Sequence, residues 1–189
     1  MRIDMKRLLL AALAVFITGC ASVNAPNEKV ARDVNTTFKS GNIPAAVAGI
    51  DQAFAKGDPK KPKDTTFYLE KGTIVRNMGQ AKLPESTSLL FTADRVVQDW
   101  EKKTSATLGM NNSQFADSFM KSLKFDGVYQ PRDYEKTMVS FSLALNHALA
   151  RRYDLVQVEA NIMAKREDLI EGLRKKEMDA VKAKVDKSN

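Results

Sequence analysis

The chain has 189 residues, with 30 Lys and Arg against 23 Asp and Glu, a net charge of +7. That length holds one domain with a real core. One Cys excludes an internal disulfide and one His excludes a multi-histidine metal site. The basic residues are scattered among acids rather than gathered into an arm, which reads as a solvated mixed-charge surface and against nucleic acid as a partner.

The N-terminus carries an export signal. Arg2, Lys6 and Arg7 stand against Asp4, and Leu8 to Ile17 is an unbroken apolar run. A basic start, a short apolar core and small residues before a cut site describe a secretory signal. Such a run spans about 15 Å as a helix, roughly half of a bilayer core, and so is too short for an ordinary transmembrane span. Ile17-Thr18-Gly19-Cys20 resembles the bacterial lipobox. The resemblance implies removal of residues 1–19 and a diacylglyceryl thioether on Cys20, with no other cofactor. Ala21 and Ser22 lack the Asp that marks inner-membrane retention in many Gram-negative bacteria. Outer-membrane attachment facing the periplasm is therefore expected.

The mature chain reads as helices. Residues 20–29, small and polar with Pro26, form a lipidated tether, followed by a helical domain over 30–173 and a charged extension over 174–189. Val30, Val34 and Phe38 share one helical face, and Ser40-Gly41-Asn42 ends that helix. Ala46, Val47, Ile50 and Phe54 mark the second, which stops at Gly57-Asp58-Pro59. The spacing predicts a third helix over 66–78, closed by Gly79. A fourth is predicted over 84–103, with Pro84 in its first turn and Leu89, Ala93, Val96, Val97 and Trp100 as its stripe. Phe115, Phe119 and Leu123 suggest a short fifth helix. The sixth, over 132–152, has two stripes: Tyr134, Met138, Phe141 and Leu145, and Val139, Leu143 and His147. The seventh runs from Asp154 towards Lys187, with Leu155, Val158, Ile162, Leu169 and Leu173 on its buried side. No sustained alternation of period two occurs, so no substantial sheet is expected.

The expected fold is all-α: a tetratricopeptide-like array of antiparallel helix hairpins, about seven helices with a long charged C-terminal one. Gly41-Asn42-Ile43-Pro44-Ala45-Ala46 resembles the tetratricopeptide turn, and Ala53 fits the alanine that follows it. Gly72 and Gly79 match two small positions of a second repeat, although Pro84 stands where the repeat wants Ala. The third pair has Arg151-Arg152-Tyr153-Asp154 in place of the turn glycine.

Three further blocks resemble a family of uncharacterised Gram-negative lipoproteins with tetratricopeptide-like repeats. These are Phe67-Tyr68-Leu69-Glu70-Lys71-Gly72, then Tyr134-Glu135-Lys136 with Ala144-Leu145-Asn146, then Val158-Glu159-Ala160. Order and spacing agree from about residue 30 to 170. The chain departs from the pattern at Arg151-Arg152-Tyr153-Asp154, where the family has a Gly-Asp turn, and at Asn161-Ile162, where it has two Arg. Longer relatives continue past this C-terminus, and the resemblance brings no established enzymatic activity with it.

No catalytic constellation emerges from the residues. His147 lies on a packed helix face away from any nucleophile motif, and reads as a satisfied core or groove histidine. Glu167, Asp168 and Glu171 sit among Lys165, Arg166 and Arg174, as solvated ion pairs do. Trp100 belongs to an apolar stripe. No metal and no catalytic residue are expected. The expected function is a membrane-anchored, protein-binding scaffold in the cell envelope, with an envelope protein or peptide as partner. Tyr68, Glu70, Tyr134, Asn146 and Glu159 are its candidate binding residues; interhelical packing, with Asn146 and Glu159 bonded to each other, is the alternative role for them. The other readings are an accessory or activating subunit of a cell-wall enzyme, and a structural lipoprotein that self-associates through Met178, Val181 and Val185.

Overall fold

The structure is a computed structural model that describes residues 28–55, 65–111, 114–115 and 131–188. The expected signal segment, Cys20 and the expected connection over 57–64 lie outside the described residues, as does the fifth expected helix apart from Phe115. Six α-helices are described and no strand is found among them. They are α1 (Glu28–Lys39), α2 (Ile43–Ala55), α3 (Thr65–Arg76), α4 (Leu83–Leu108), α5 (Asp133–Leu149) and α6 (Tyr153–Ser188), with a 3-10 turn at Gln80–Lys82 before α4. The chain divides into two compact units, Met1–Lys56 and Gly57–Asn189.

The first unit contains the α1–α2 hairpin. Its turn is a Schellman motif: the Asn42 amide donates to Thr37 O at 3.2 Å and the Gly41 amide to Phe38 O at 2.9 Å. Gly41 takes φ 83°, which a residue without Cβ adopts freely. The Asn42 side chain then caps α2, its Oδ1 accepting from the Ala45 amide at 3.3 Å. The helices approach closely, and a Cβ on Gly49 would stand 2.9 Å from Val34 Cγ2.

The second unit holds two antiparallel hairpins, α3–α4 and α5–α6. Side-chain pairs fix the directions. Thr66 meets Glu135 near the starts of α3 and α5, and Arg76 meets Asn146 near their ends, so these two helices run the same way. Asp94 meets Arg166, and Leu108 O accepts from Lys176, so α4 and α6 also run the same way. Here α3 packs on α4 and α5, and α6 packs on α5 and α4.

The core is Leu69, Leu90, Ala93, Val97, Val139 and Leu143, with Tyr68, Trp100 and Met138 packed around it. Leu90, rather than Leu89, is the fully buried leucine of α4. Gly72 lets α3 and α4 touch there, since a Cβ would lie 2.9 Å from Leu90 Cγ. On α5 the stripe of Val139, Leu143 and His147 is buried, whereas Met138, Phe141 and Leu145 are half-buried and Tyr134 is exposed. Val158, expected on the buried side of α6, is instead 48% exposed, and Glu159 turns inward in its place.

The α5–α6 turn repeats the Schellman pattern without a glycine. The Arg152 amide donates to His147 O at 2.8 Å and the Arg151 amide to Ala148 O at 3.0 Å. Arg151 itself takes φ 59°, the left-handed conformation usually left to Gly or Asn. The turn therefore forms without a glycine. Among the described residues, no helix is long and apolar enough to cross a membrane.

Candidate functional site

The five candidate residues of the α3–α6 unit separate into a surface group and a buried group. Tyr134 is 40% exposed near the start of α5. Tyr68 is half-buried on α3; it packs on the core and meets the Phe67 ring edge-on, with centroids 5.1 Å apart. Glu70 is half-buried on the same helix. These three lie on the two helices that run side by side. Asn146 and Glu159 are buried, at 1% and 6% exposure, and each belongs to a different polar cluster.

Asn146 clasps three helices. Its Nδ2 donates to Ser86 Oγ at 2.8 Å and to Thr87 Oγ1 at 3.0 Å, both on α4. Its Oδ1 accepts from Arg76 Nη1 of α3 at 3.4 Å, and the same nitrogen also donates to Ser142 O at 3.2 Å. Ser86 passes the contact on by donating to Gly72 O at 2.6 Å. Both donors and the acceptor of the Asn146 amide are thus occupied, as burial demands. Asn146 bonds α3 and α4, and Glu159 has other neighbours.

The second cluster centres on Arg166 of α6, which is 1% exposed. Its guanidinium donates to Asp94 Oδ1 at 2.5 Å, Glu101 Oε1 at 2.5 Å, Ser140 Oγ at 2.6 Å and Lys136 O at 3.3 Å. Gln98 Nε2 donates to the other Asp94 oxygen at 2.6 Å. A planar fork meeting two carboxylates is geometry that Arg supplies and Lys does not.

Glu159 lies beside this cluster. Its Oε1 is 4.0 Å from His147 Nε2, and its Oε2 is buried without a hydrogen-bond partner. Burial raises its pKa above the ordinary carboxylate value; the Asp94 charge adds to this, against Arg166 and a hydrogen bond with Ser140. Burial lowers the His147 pKa, as does the Arg152 charge, while Asp154 opposes both. The Phe91 ring is tilted against the imidazole at 6.3 Å between centroids. Burial thus shifts both groups towards their neutral forms, the Glu159 carboxyl upward and the His147 imidazole downward.

The sign of the resulting pH dependence follows. Because the folded pKa of Glu159 is raised, its stabilising contribution is full below the ordinary Glu value of 4.5 and is lost as pH rises through the folded value. His147 acts oppositely: its contribution is present above the ordinary value of 6.5 and is lost as pH falls through the lowered one. Glu159→Gln is expected to raise the Tm at pH 7 and to remove the loss of stability between acid and neutral pH. Thermal melts across that range check this; a variant that melts below the parent at pH 7 would show the ionised carboxylate to be well accommodated.

A third group ties the start of α5 to α6. Lys136, 3% exposed, donates to Asp133 Oδ1 at 2.8 Å and lies over the Trp100 ring at 3.8 Å from its centroid. Arg174 Nη2 reaches Asp133 Oδ2 at 2.7 Å, and its Nη1 reaches Glu177 at 2.6 Å. Burial draws the Lys136 pKa down, against the pull of Asp133.

The chemistry of these groups is that of interhelical bonding. Asn146, Arg166 and Lys136 are turned inward with their hydrogen bonds engaged. Glu167, Asp168 and Glu171 are exposed on the far side of α6. Among the described residues, no group of three or more His, Cys, Asp or Glu is placed to hold a metal ion. Sequence reasoning missed Arg166, Asp94, Ser86 and Arg76. A signal for Arg166 was present: with Ile162, Leu169 and Leu173 it shares the spacing of a single helical stripe. In comparisons with protein-family models, with curated proteins and with solved structures, the chain matches none of them.

Proposed function

We propose that this protein is a lipid-anchored envelope scaffold whose tetratricopeptide-like hairpins bind another envelope protein or peptide. The observation that carries the reading is the arrangement of α3–α4 and α5–α6. Successive antiparallel hairpins lie with first helix beside first helix and second beside second, the arrangement by which helical repeats build an extended binding face. In this reading α3 and α5 supply that face. Tyr134 is its exposed aromatic and Met138 and Phe141 its half-buried apolar neighbours, while α3 contributes either Tyr68 or Glu70, which stand about 200° apart around its axis. Large amphipathic rings on a rigid element suit partner binding, because they bring contact area at small entropic cost.

Anchoring rests on the sequence around Cys20 alone. The lipid would hold the module at the periplasmic face of the outer membrane. Its role is adhesive rather than catalytic, and it uses no cofactor beyond that lipid and no metal.

Crosslinking in living cells, with the protein tagged after Asn189, followed by mass spectrometry, tests the proposal. One dominant envelope protein is expected. Its capture should fall by about tenfold or more with Tyr134→Ala, the usual scale for truncating an anchoring aromatic. Tyr134 is the preferred substitution because Tyr68 also packs on the core. Cys20→Ser should abolish lipid labelling. Self-crosslinks alone, or capture indifferent to Tyr134, would overturn the scaffold reading.

A further inference from the structure

Arg76, the last residue of α3, is half-buried in the seam between α3 and α5. Its Nη1 donates to Ser142 O at 3.2 Å and to Asn146 Oδ1 at 3.4 Å, both neutral oxygens of α5. Among the described residues, nothing accepts from its Nε or Nη2. The buried side-chain atoms that lack a bond there are Thr65 Oγ1 and Glu159 Oε2, so the Nε–Nη2 edge of Arg76 is open to the outside.

Among the described residues, no carboxylate compensates this cation. Burial pulls on Arg166 and Arg174 as well, yet each meets two carboxylates and its pKa is raised above the ordinary value. At Arg76 burial acts alone and draws the pKa down. Glu70 lies about 9 Å back along the axis of α3 at helical rise. Asp133 and Glu135 stand at the far end of α5, and Glu85 of α4 is bonded to Lys82 at 2.7 Å. The C-terminus of α3 offers a partial negative charge only. A guanidinium drawn out of water ordinarily has an acid beside it.

We infer, resting on the scaffold reading, that the open Nε–Nη2 edge of Arg76 receives a carboxylate of the partner bound along α3 and α5. Geometry and charge select the group. Nε and Nη2 lie side by side on a planar fork and match the two oxygens of a carboxylate, which a spherical halide does not. A single guanidinium balances a carboxylate and leaves a doubly charged phosphate half compensated. Leu149, one turn beyond Asn146 on α5 and 51% exposed, supplies an apolar neighbour. An Asp or Glu side chain and a chain end both carry this group, and the test separates them.

The test uses the full chain carrying Cys20→Ser, labelled with nitrogen-15. The Nε–Hε signal of Arg76, identified by its loss in Arg76→Gln, is followed by NMR at constant ionic strength in chloride. The probes are N-acetyl-leucine for a chain end, N-acetyl-aspartate amide for an acidic side chain, N-acetyl-leucine amide as the neutral control, and inorganic phosphate. Expected is a saturable shift with at least one carboxylate, with a dissociation constant on the order of millimolar. The tighter of the two names the source. The neutral amide and phosphate should bind about tenfold more weakly or not at all. In variants the Asn146 side-chain amide is the reporter, and circular dichroism verifies the fold. Arg76→Gln should abolish the response and Arg76→Lys should weaken it about tenfold, since an ammonium keeps the charge but not the fork. Silence of both carboxylates, or equal shifts with the neutral amide or with phosphate, would overturn the inference, and these comparisons need no variant to fold. The outcomes also stand apart from the crosslinking experiment. Silent carboxylates beside a partner lost on Tyr134→Ala remove the Arg76 site and leave the scaffold. A carboxylate response without any captured partner leaves the site and removes the scaffold.

Discussion

Arg166→Ala is expected to destabilise the protein by about 3–5 kcal/mol, the usual cost of removing one partner from a buried ion pair. Arg166 is 1% exposed and compensates Asp94, itself 6% exposed. Its loss leaves that carboxylate with Gln98 as its described donor and frees Ser140 Oγ and Lys136 O from their bonds. Glu101 is less affected, because its side chain is 27% exposed and can turn to water. Urea unfolding followed by circular dichroism measures the loss. Pairing the change with Asp94→Asn should recover part of it, since the uncompensated charge is then gone. A loss below about 1 kcal/mol would place Asp94 in contact with water and the pair among ordinary surface bridges.

Asn146→Ala is expected to cost about 2–4 kcal/mol. Two hydroxyls on α4 and a guanidinium on α3 lose their shared partner, and leaving buried polar groups unpaired costs about 1–3 kcal/mol each. The full sum is not reached, because Ser86 still donates to Gly72 O and Arg76 still donates to Ser142 O. Asn146→Leu separates bonding from packing. It restores apolar volume but no hydrogen bond, and should remain well below the parent in the same urea titration. Parental stability in the Leu variant would assign Asn146 a space-filling role.

Much of this architecture was readable in advance, for local reasons. Gly41, Gly79 and Pro84 punctuate the chain at the α1–α2 and α3–α4 turns, and the apolar spacing places α1 to α4 within a few residues of their observed limits. The α5–α6 turn was legible only as a departure from pattern. Arg151 occupies the left-handed site through geometry that no propensity for Arg would suggest. The polar clusters were harder to see, because a buried Arg in a charged helix looks like its exposed neighbours. Lys165, Arg166 and Glu167 differ little as a string, yet only Arg166 falls in line with Ile162 and Leu169. Val158 and Glu159 show the same difficulty. Polarity alone puts the valine inside, whereas Glu159 shares the helical spacing of Ile162, Arg166, Leu169 and Leu173 and so faces inward with them. Asn146 and Glu159 were singled out as residues of interest, but which groups they would meet depends on how the hairpins stack, and that is not written in any one segment.

The two polar clusters have a mechanical consequence. On α4 they lie at Ser86–Thr87 and at Asp94–Glu101, and both engage α5 as well, through Asn146 and through Ser140 by way of Arg166. The pins stand up to about 20 Å apart along the rod at helical rise. A rod pinned once can swivel; pinned twice by directional bonds, it can neither slide nor roll without breaking them in concert. Slippage by one turn, which a purely greasy seam tolerates, would carry every donor about 5.4 Å past its acceptor. The two hairpins therefore transmit a push or a twist as one plate, and compliance in this unit is concentrated beyond Lys176, where α6 runs past the last pin.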